Sequence, residues 1–172
     1  TEVGDKTYRL EVMVAGEYVP SVSYLIVDGD GALIEPGPGA AAPAVQSAIE
    51  HLGLGRLACI IPTHIHVDHV GGAGALAMRN PKAKVLVHPR GARHLANPAY
   101  LIGITQQIYG SDFENHSGTV LPVPECQLSV VESGEVIVLG SRQLQIIHTP
   151  GHAWHHVAIL DRRQNGLFCG EA

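Results

Sequence analysis

At 172 residues, 45 % of them apolar, the chain is long enough for one domain with its own core, and no apolar run nears the roughly 18 residues of a membrane-spanning helix. The net charge is −5, from 11 Lys and Arg against 16 Asp and Glu, and no basic patch is clustered, which argues against a nucleic-acid partner. The three cysteines, Cys59, Cys126 and Cys169, are odd in number and widely spaced; they predict neither a disulfide framework nor a Cys-x-x-Cys pair and favour a reducing, cytoplasmic setting.

The opening stretch TEVGDKTYRLEV is charged and polar, unlike a secretory signal, and it starts without Met, as expected of a processed or trimmed chain. TYRLEVMV (7–14) alternates apolar and polar and predicts a half-buried strand. SYLIV (23–27), the turn DGDG and ALIE (32–35) predict a hairpin. Val45, Ala48, Ile49 and Leu52 recur at helical spacing, with Gly53 as a stop. LACII (57–61) is a continuous apolar run, as in a strand covered on both faces.

Residues 70–79 predict a weak, glycine-rich helix ending at Asn80-Pro81. KVLVH (84–88) reads as a strand, and PRGARHLAN (89–97) as a short helix. Leu101, Ile104 and Ile108 mark a helix over 98–109. The polar stretch 110–126 predicts a loop, and 97–126, with Tyr100, Tyr109, Phe113 and His116, an ordinary surface excursion; the alternative is a cover over a pocket. QLSVVE, EVIVLG and RQLQIIHT predict three strands in close succession, and HHVAILD with GLFCG a last hairpin around RRQN. Strands mixed with helices, some antiparallel, predict a layered α/β or α+β domain with no internal repeat.

Histidine is over-used. Seven of the 11 fall in two short clusters. In THIHVDH (63–69), His64 and His66 are two apart in extended chain and point to one side, directly after a buried strand. Asp68 and His69 follow within the same six positions. Imidazole nitrogen and carboxylate oxygen are ligands for zinc and similar divalent ions. Four such groups in so short a loop exceed what one small ion can use, so two neighbouring ions are predicted. In HTPGHAWHH (148–156), Pro150-Gly151 forces a turn that presents His152 beyond a strand end. His155 and His156 are read as orienting or surface residues, and His148 as packing or orienting a neighbour. His51, His88, His94 and His116 stand alone.

THIHVDH, TPGH (149–152) and the terminal FCGEA resemble the metallo-β-lactamase-fold hydrolases, and within them the glyoxalase II branch with its single-domain relatives. The resemblance runs from about residue 8 to the end. It implies an α+β fold, an αββα sandwich with metals at one edge between two sheets. It matches His64, His66 and His152 to one metal, and Asp68 and His69 to the other. The family's bridging Asp falls on Glu171, and its I-D-x-G falls on Ile34-Glu35-Pro36-Gly37, so a glutamate stands for an aspartate twice. The family continues past the bridging carboxylate with further strands, helices and a last His ligand. The chain is therefore expected to be one domain over 1–172, incomplete at its C-terminus. A lone half-sandwich would expose an apolar sheet face, so association with a missing C-terminal segment or with a second copy is expected.

The activity so implied is that of a metal-dependent hydrolase. Two divalent ions, zinc first, with iron or manganese as alternatives, would hold a bridging hydroxide that attacks an ester, thioester or related carbonyl of a small molecule. Asp68 would also manage the proton. The rival readings are an iron-dependent sulfur (persulfide) dioxygenase of the same fold and a non-catalytic metal-binding fragment. A diiron electron carrier is disfavoured because its motif has Glu where this chain has His66. A true β-lactamase is disfavoured because its zinc-binding Cys would fall at Glu171, while Cys169 reads as a small buried strand residue.

Overall fold

The computed structural model describes residues 1–14 and 21–172. The chain opens with β1 (Glu2–Gly4), β2 (Thr7–Val12), β3 (Ser21–Asp28) and β4 (Asp30–Ile34), a run of antiparallel neighbours. Helix α1 (Ala42–His51) then crosses to β5 (Leu57–Ile61). Short helices α2 (Val67–Val70) and α3 (Ala73–Arg79) lead to β6 (Lys84–Val87). Helices α4 (Pro89–Ala96), α5 (Ala99–Tyr109) and α6 (Phe113–Ser117) precede β7 (Leu128–Val130). Strands β4, β5, β6 and β7 pair in parallel, so the first sheet is β1-β2-β3-β4-β5-β6-β7. The second sheet, β11-β10-β9-β8, is antiparallel throughout and built from β8 (Val136–Leu139), β9 (Arg142–His148), β10 (Val157–Asp161) and β11 (Gly166–Phe168).

Alternation along the strands sorts the core into two layers. Leu25, Leu33, Ile60 and Val85 stand in register across four strands and face the helices, where Val45, Ile49, Leu76 and Leu95 meet them. Their chain neighbours Ile26, Ala32, Ile34, Cys59 and Ile61 face the second sheet and pack on Leu144, Ile146, Val157 and Ile159. A continuous apolar run such as LACII is what a strand buried on both sides needs. Each buried Val, Leu and Ile among them stabilises the fold by about 1.5–3 kcal/mol relative to exposure. The described layers are therefore helix, sheet and sheet. The large sheet has seven strands and the small one four. The outer face of the smaller sheet carries exposed Val138 and Leu167.

Several expectations needed correction. The three strands predicted in close succession are present as β7, β8 and β9, divided between the sheets: β7 pairs with β6, while β8 and β9 lie in the second sheet. The 110–126 stretch contains helix α6 rather than loop alone. The weak helix predicted over 70–79 is α3, which starts only at Ala73, and a separate short helix, α2, precedes it across Gly71-Gly72. A Cβ on Gly71 would lie 2.5 Å from the Val67 carbonyl and 2.9 Å from the Gly39 amide, so close approach of backbone, not weak propensity, explains this glycine. Cys169 lies after β11 and is exposed, not buried.

The cysteines give a direct check. Burial pushes the Cys59 thiol up to about 12, whereas Cys126 and Cys169 are exposed. A colourimetric thiol reagent at neutral pH is expected to modify two cysteines promptly and the third only after unfolding, because the thiolate is the reactive form. Three fast thiols would contradict this packing of the two sheets.

Candidate metal centre

Four strand ends meet at one edge of the sandwich. β5 ends at Ile61, and the following turn carries Thr63, His64 and His66 into α2. β9 ends at His148, and the Pro150-Gly151 turn carries His152. β4 ends at Ile34, immediately before Glu35, and β11 ends just before Glu171. Side chains distant in sequence are thereby brought together.

His64 Nε2 lies 3.0 Å from His66 Nδ1, which lies 3.0 Å from His152 Nε2. Glu171 Oε2 is 2.7 Å from His152 Nε2 and 3.4 Å from His64 Nε2. One ligand atom from each of these four residues lies within 4.8 Å of every other. Nitrogens bound tetrahedrally at about 2.0–2.1 Å stand roughly 3.3 Å apart, so slight outward motion of the rings would seat an ion. Burial and the neighbouring imidazoles hold His64 down at about 2, and burial lowers His66 as well. Both rings are therefore neutral at physiological pH, the form in which imidazole coordinates. The donor set fits a divalent cation.

Asp68 and His69 lie on the same side. Asp68 Oδ2 is 3.3 Å and Glu171 Oε2 3.7 Å from His69 Nε2. The opposite ring nitrogen, Nδ1, donates to Glu35 Oε2 at 2.6 Å. Burial alone would lower His69, but its hydrogen bonds to Asp68 and Glu35 prevail and push it up to about 10. Because Glu35 claims Nδ1–H, Nε2 is the nitrogen that can exchange its proton for a metal. Partial desolvation would raise Asp68, yet the hydrogen bond and charge of His69 outweigh it and keep the carboxyl below its usual range. All six predicted residues thus lie around one point: His64, His66, His152 and Glu171 as a tight quartet, and Asp68 and His69 beside it.

The supports of these groups were mostly missed in the sequence. Glu35 was noted there only as a substituted aspartate. Its Oε1 accepts the Thr63 amide at 2.9 Å while Oε2 holds His69. Glu35 has φ 58°, a left-handed conformation that costs a side-chain-bearing residue about 1–2 kcal/mol. That kink turns its carboxylate back over the end of β5. Thr63 Oγ1 lies 3.0 Å from His64 Nδ1. His156 is wholly buried; its Nε2 accepts the Glu171 amide at 3.2 Å, so its Nδ1 carries a proton and meets Thr149 Oγ1 at 2.7 Å. Both nitrogens are occupied, and His156 orients the backbone at Glu171. Gly170 has φ 51°, and a Cβ there would meet Thr63 Oγ1 at 2.5 Å and His156 Nε2 at 2.8 Å. Only glycine brings Glu171 this close. His155 has its Nδ1 buried with no hydrogen-bond partner among the described residues. His148 packs on His88 with ring centroids 4.5 Å apart.

Two cavities flank the cluster. One, of about 740 Å³, is lined by Glu35, His69, Phe168 and Cys169. The other, of about 890 Å³, is lined by His66, Trp154 and the apolar side of α5. Asp68 lines both. The 97–126 segment is therefore a cavity wall rather than an ordinary surface excursion, although Phe113 itself is buried.

A family model described as the metallo-beta-lactamase superfamily matches residues 16–172. A metallo-beta-lactamase fold-containing protein of Sulfurisphaera tokodaii is 31 % identical over 122 residues, 69 % of this chain and 46 % of that protein. A hydroxyacylglutathione hydrolase of Stenotrophomonas maltophilia is 27 % identical over 164 residues, 95 % of this chain and 50 % of that enzyme. The chain thus spans about half the length of these curated relatives. Among solved structures, an archaeal metallo-beta-lactamase superfamily protein from Sulfolobus tokodaii has a TM-score of 0.74 at 24 % identity, covering 91 % of this chain and 60 % of that one. A subclass B3 metallo-beta-lactamase from a soil metagenome library has a TM-score of 0.67 at 27 % identity, covering 93 % and 56 %.

Proposed function

The chain belongs to the metallo-beta-lactamase superfamily, and from that premise we propose that it acts as a metal-dependent hydrolase on an ester, thioester or related carbonyl compound. The observation that carries this reading is the convergence of three imidazole nitrogens and one carboxylate oxygen on a single point. Hydroxyacylglutathione hydrolases among the relatives agree with it.

In this reading His64, His66 and His152 would hold one divalent ion and Asp68 and His69 a second, with Glu171 within reach of both groups. Zinc suits the imidazole and carboxylate donors, and iron and manganese accept the same set. Bound metal supplies polarisation of a carbonyl oxygen and acidification of water toward about pH 7. The chain supplies the rest. Glu35 fixes the tautomer and orientation of His69, and Thr63 helps orient the ring of His64. His156 and Gly170 set the reach of Glu171. Asp68 stays ionised beside the open cavities, where it can accept a proton and pass it to a leaving group.

Elemental analysis with a chelator titration tests the metal assignment. The protein as purified is expected to release one ion before the other, because the three-histidine site is the more completely built. His152→Ala should lose the tighter ion and hydrolytic turnover together. Release of both ions at one chelator concentration, or full metal content in His152→Ala, would refute the ligand assignment. Iron with oxygen uptake on a persulfide would transfer the protein to the dioxygenase reading.

A further inference from the structure

The larger cavity has two unlike walls. Helix α5 carries no charged residue, and none of its side chains is fully buried, although Leu101 packs against the main core. Leu101, Ile104 and Ile108 recur at helical spacing along its cavity side, with Ile104 41 % and Ile108 73 % exposed. A helix with an apolar stripe ordinarily buries it. Here the stripe faces the cavity. Opposite it, Arg90 and Arg93 stand three apart on α4, one helical neighbour to the next. Arg93 Nε donates to His94 Nε2 at 3.1 Å, and the Arg90 guanidinium lies over the Trp154 ring at 5.9 Å. Neither forms an ion pair with a carboxylate among the described residues, in a chain whose net charge is −5. A guanidinium stacked on an aromatic ring keeps its edge donors free for a planar anion.

We propose that this groove binds the non-reacting part of the substrate, and that this part has an apolar body, alkyl or aryl, carrying a negative charge. The apolar body lies along α5 and against Trp154; the charge is taken by Arg90 and Arg93. His66 and Asp68 line the same groove, so a ligand seated there has its other end at the candidate metal centre. The proposal rests on the hydrolase reading for what happens to the ligand, but not for whether it binds.

Trp154 is the only tryptophan, it is 76 % exposed, and it lines the groove, so its fluorescence reports occupancy. The experiment titrates octanoate, octan-1-ol and octylammonium into chelator-treated protein, which separates groove binding from metal coordination and from turnover. Octanoate is expected to give a saturable blue shift, at least about tenfold tighter than octanol, with octylammonium weakest. Arg90→Glu with Arg93→Glu, both at exposed positions, should abolish the preference for octanoate and leave octanol binding unchanged. Ile108→Asp should weaken both octanoate and octanol. No saturable shift, equal binding of the three ligands, or unchanged octanoate affinity in the double variant would overturn the proposal, whether or not the loaded protein hydrolyses esters.

Discussion

Asp68→Ala is expected to lower kcat by about 10²–10⁴-fold on a hydrolysable substrate, while the unfolding midpoint of the metal-free protein moves by no more than roughly 2 °C. The asymmetry follows from where the side chain stands. It is 67 % exposed, and the ion pair that the structure gives it is with His69 Nε2 at 3.3 Å. Removing so open a carboxylate creates no cavity, and the half-buried His69 keeps Glu35 on Nδ1 while its Nε2 still faces Glu171 Oε2 at 3.7 Å. What disappears is the ionised group that faces both cavities. Asp68→Asn keeps the shape and loses the base, so its kcat should fall too, with a smaller change in KM. Metal content measured on each variant separates loss of a ligand from loss of a proton acceptor. Near wild-type turnover in Asp68→Ala would remove Asp68 from the reaction.

The largest loss of stability is expected far from that edge. Arg142 is fully buried, and its Nη1 donates to Asp161 Oδ2 at 2.8 Å and to Thr7 Oγ1 at 3.1 Å. Its Nη2 donates to the Asp5 carbonyl. Gln164 Nε2 ties the same Asp161 oxygen to Thr7 at 2.9 and 2.7 Å. This network fastens the first strands of the large sheet to the last hairpin of the small one. Asp161→Ala leaves a cation buried without its main partner, and breaking such a pair costs about 3–5 kcal/mol. For a domain of this size that is roughly 10 °C in Tm. Replacing both members, Arg142→Met with Asp161→Leu, should recover most of the loss, because the apolar pair carries no desolvation cost. Urea unfolding of the single and double variants measures both. A single variant as stable as the parent would show that water reaches this site.

Glu35 shows how a residue can be visible in sequence and still lack a role. Its place after an apolar strand, before Pro36-Gly37, was legible. Its hydrogen bonds to Thr63 and His69, which lie on a different strand end and helix, were not. Likewise α5 was recognised as a helix from Leu101, Ile104 and Ile108, but periodicity tells which residues share a face and not what that face meets. The same applies to β7. Its apolar character was plain, while its pairing with β6 instead of β8 depends on where the chain crosses between sheets. Cys169 was misjudged because a small residue beside a strand pattern is as readily at the strand's open end as inside it.

What the sequence by itself determined was local: His64, His66, Asp68 and His69 within one turn, the TPGH turn that frees His152, and the alternation that gives two-faced strands. Those features depend on residues a few positions apart, whose relative directions follow from the backbone period alone. Only the tertiary structure decided that His152 and Glu171 close on His64 and His66, that Glu35 and His156 hold them there, and that a helix with no buried side chain walls a groove beside them. These are meetings of strand ends from two sheets, and the long-range packing of Leu33 and Ile60 on one face and Ile34 and Ile61 on the other sets where those ends fall.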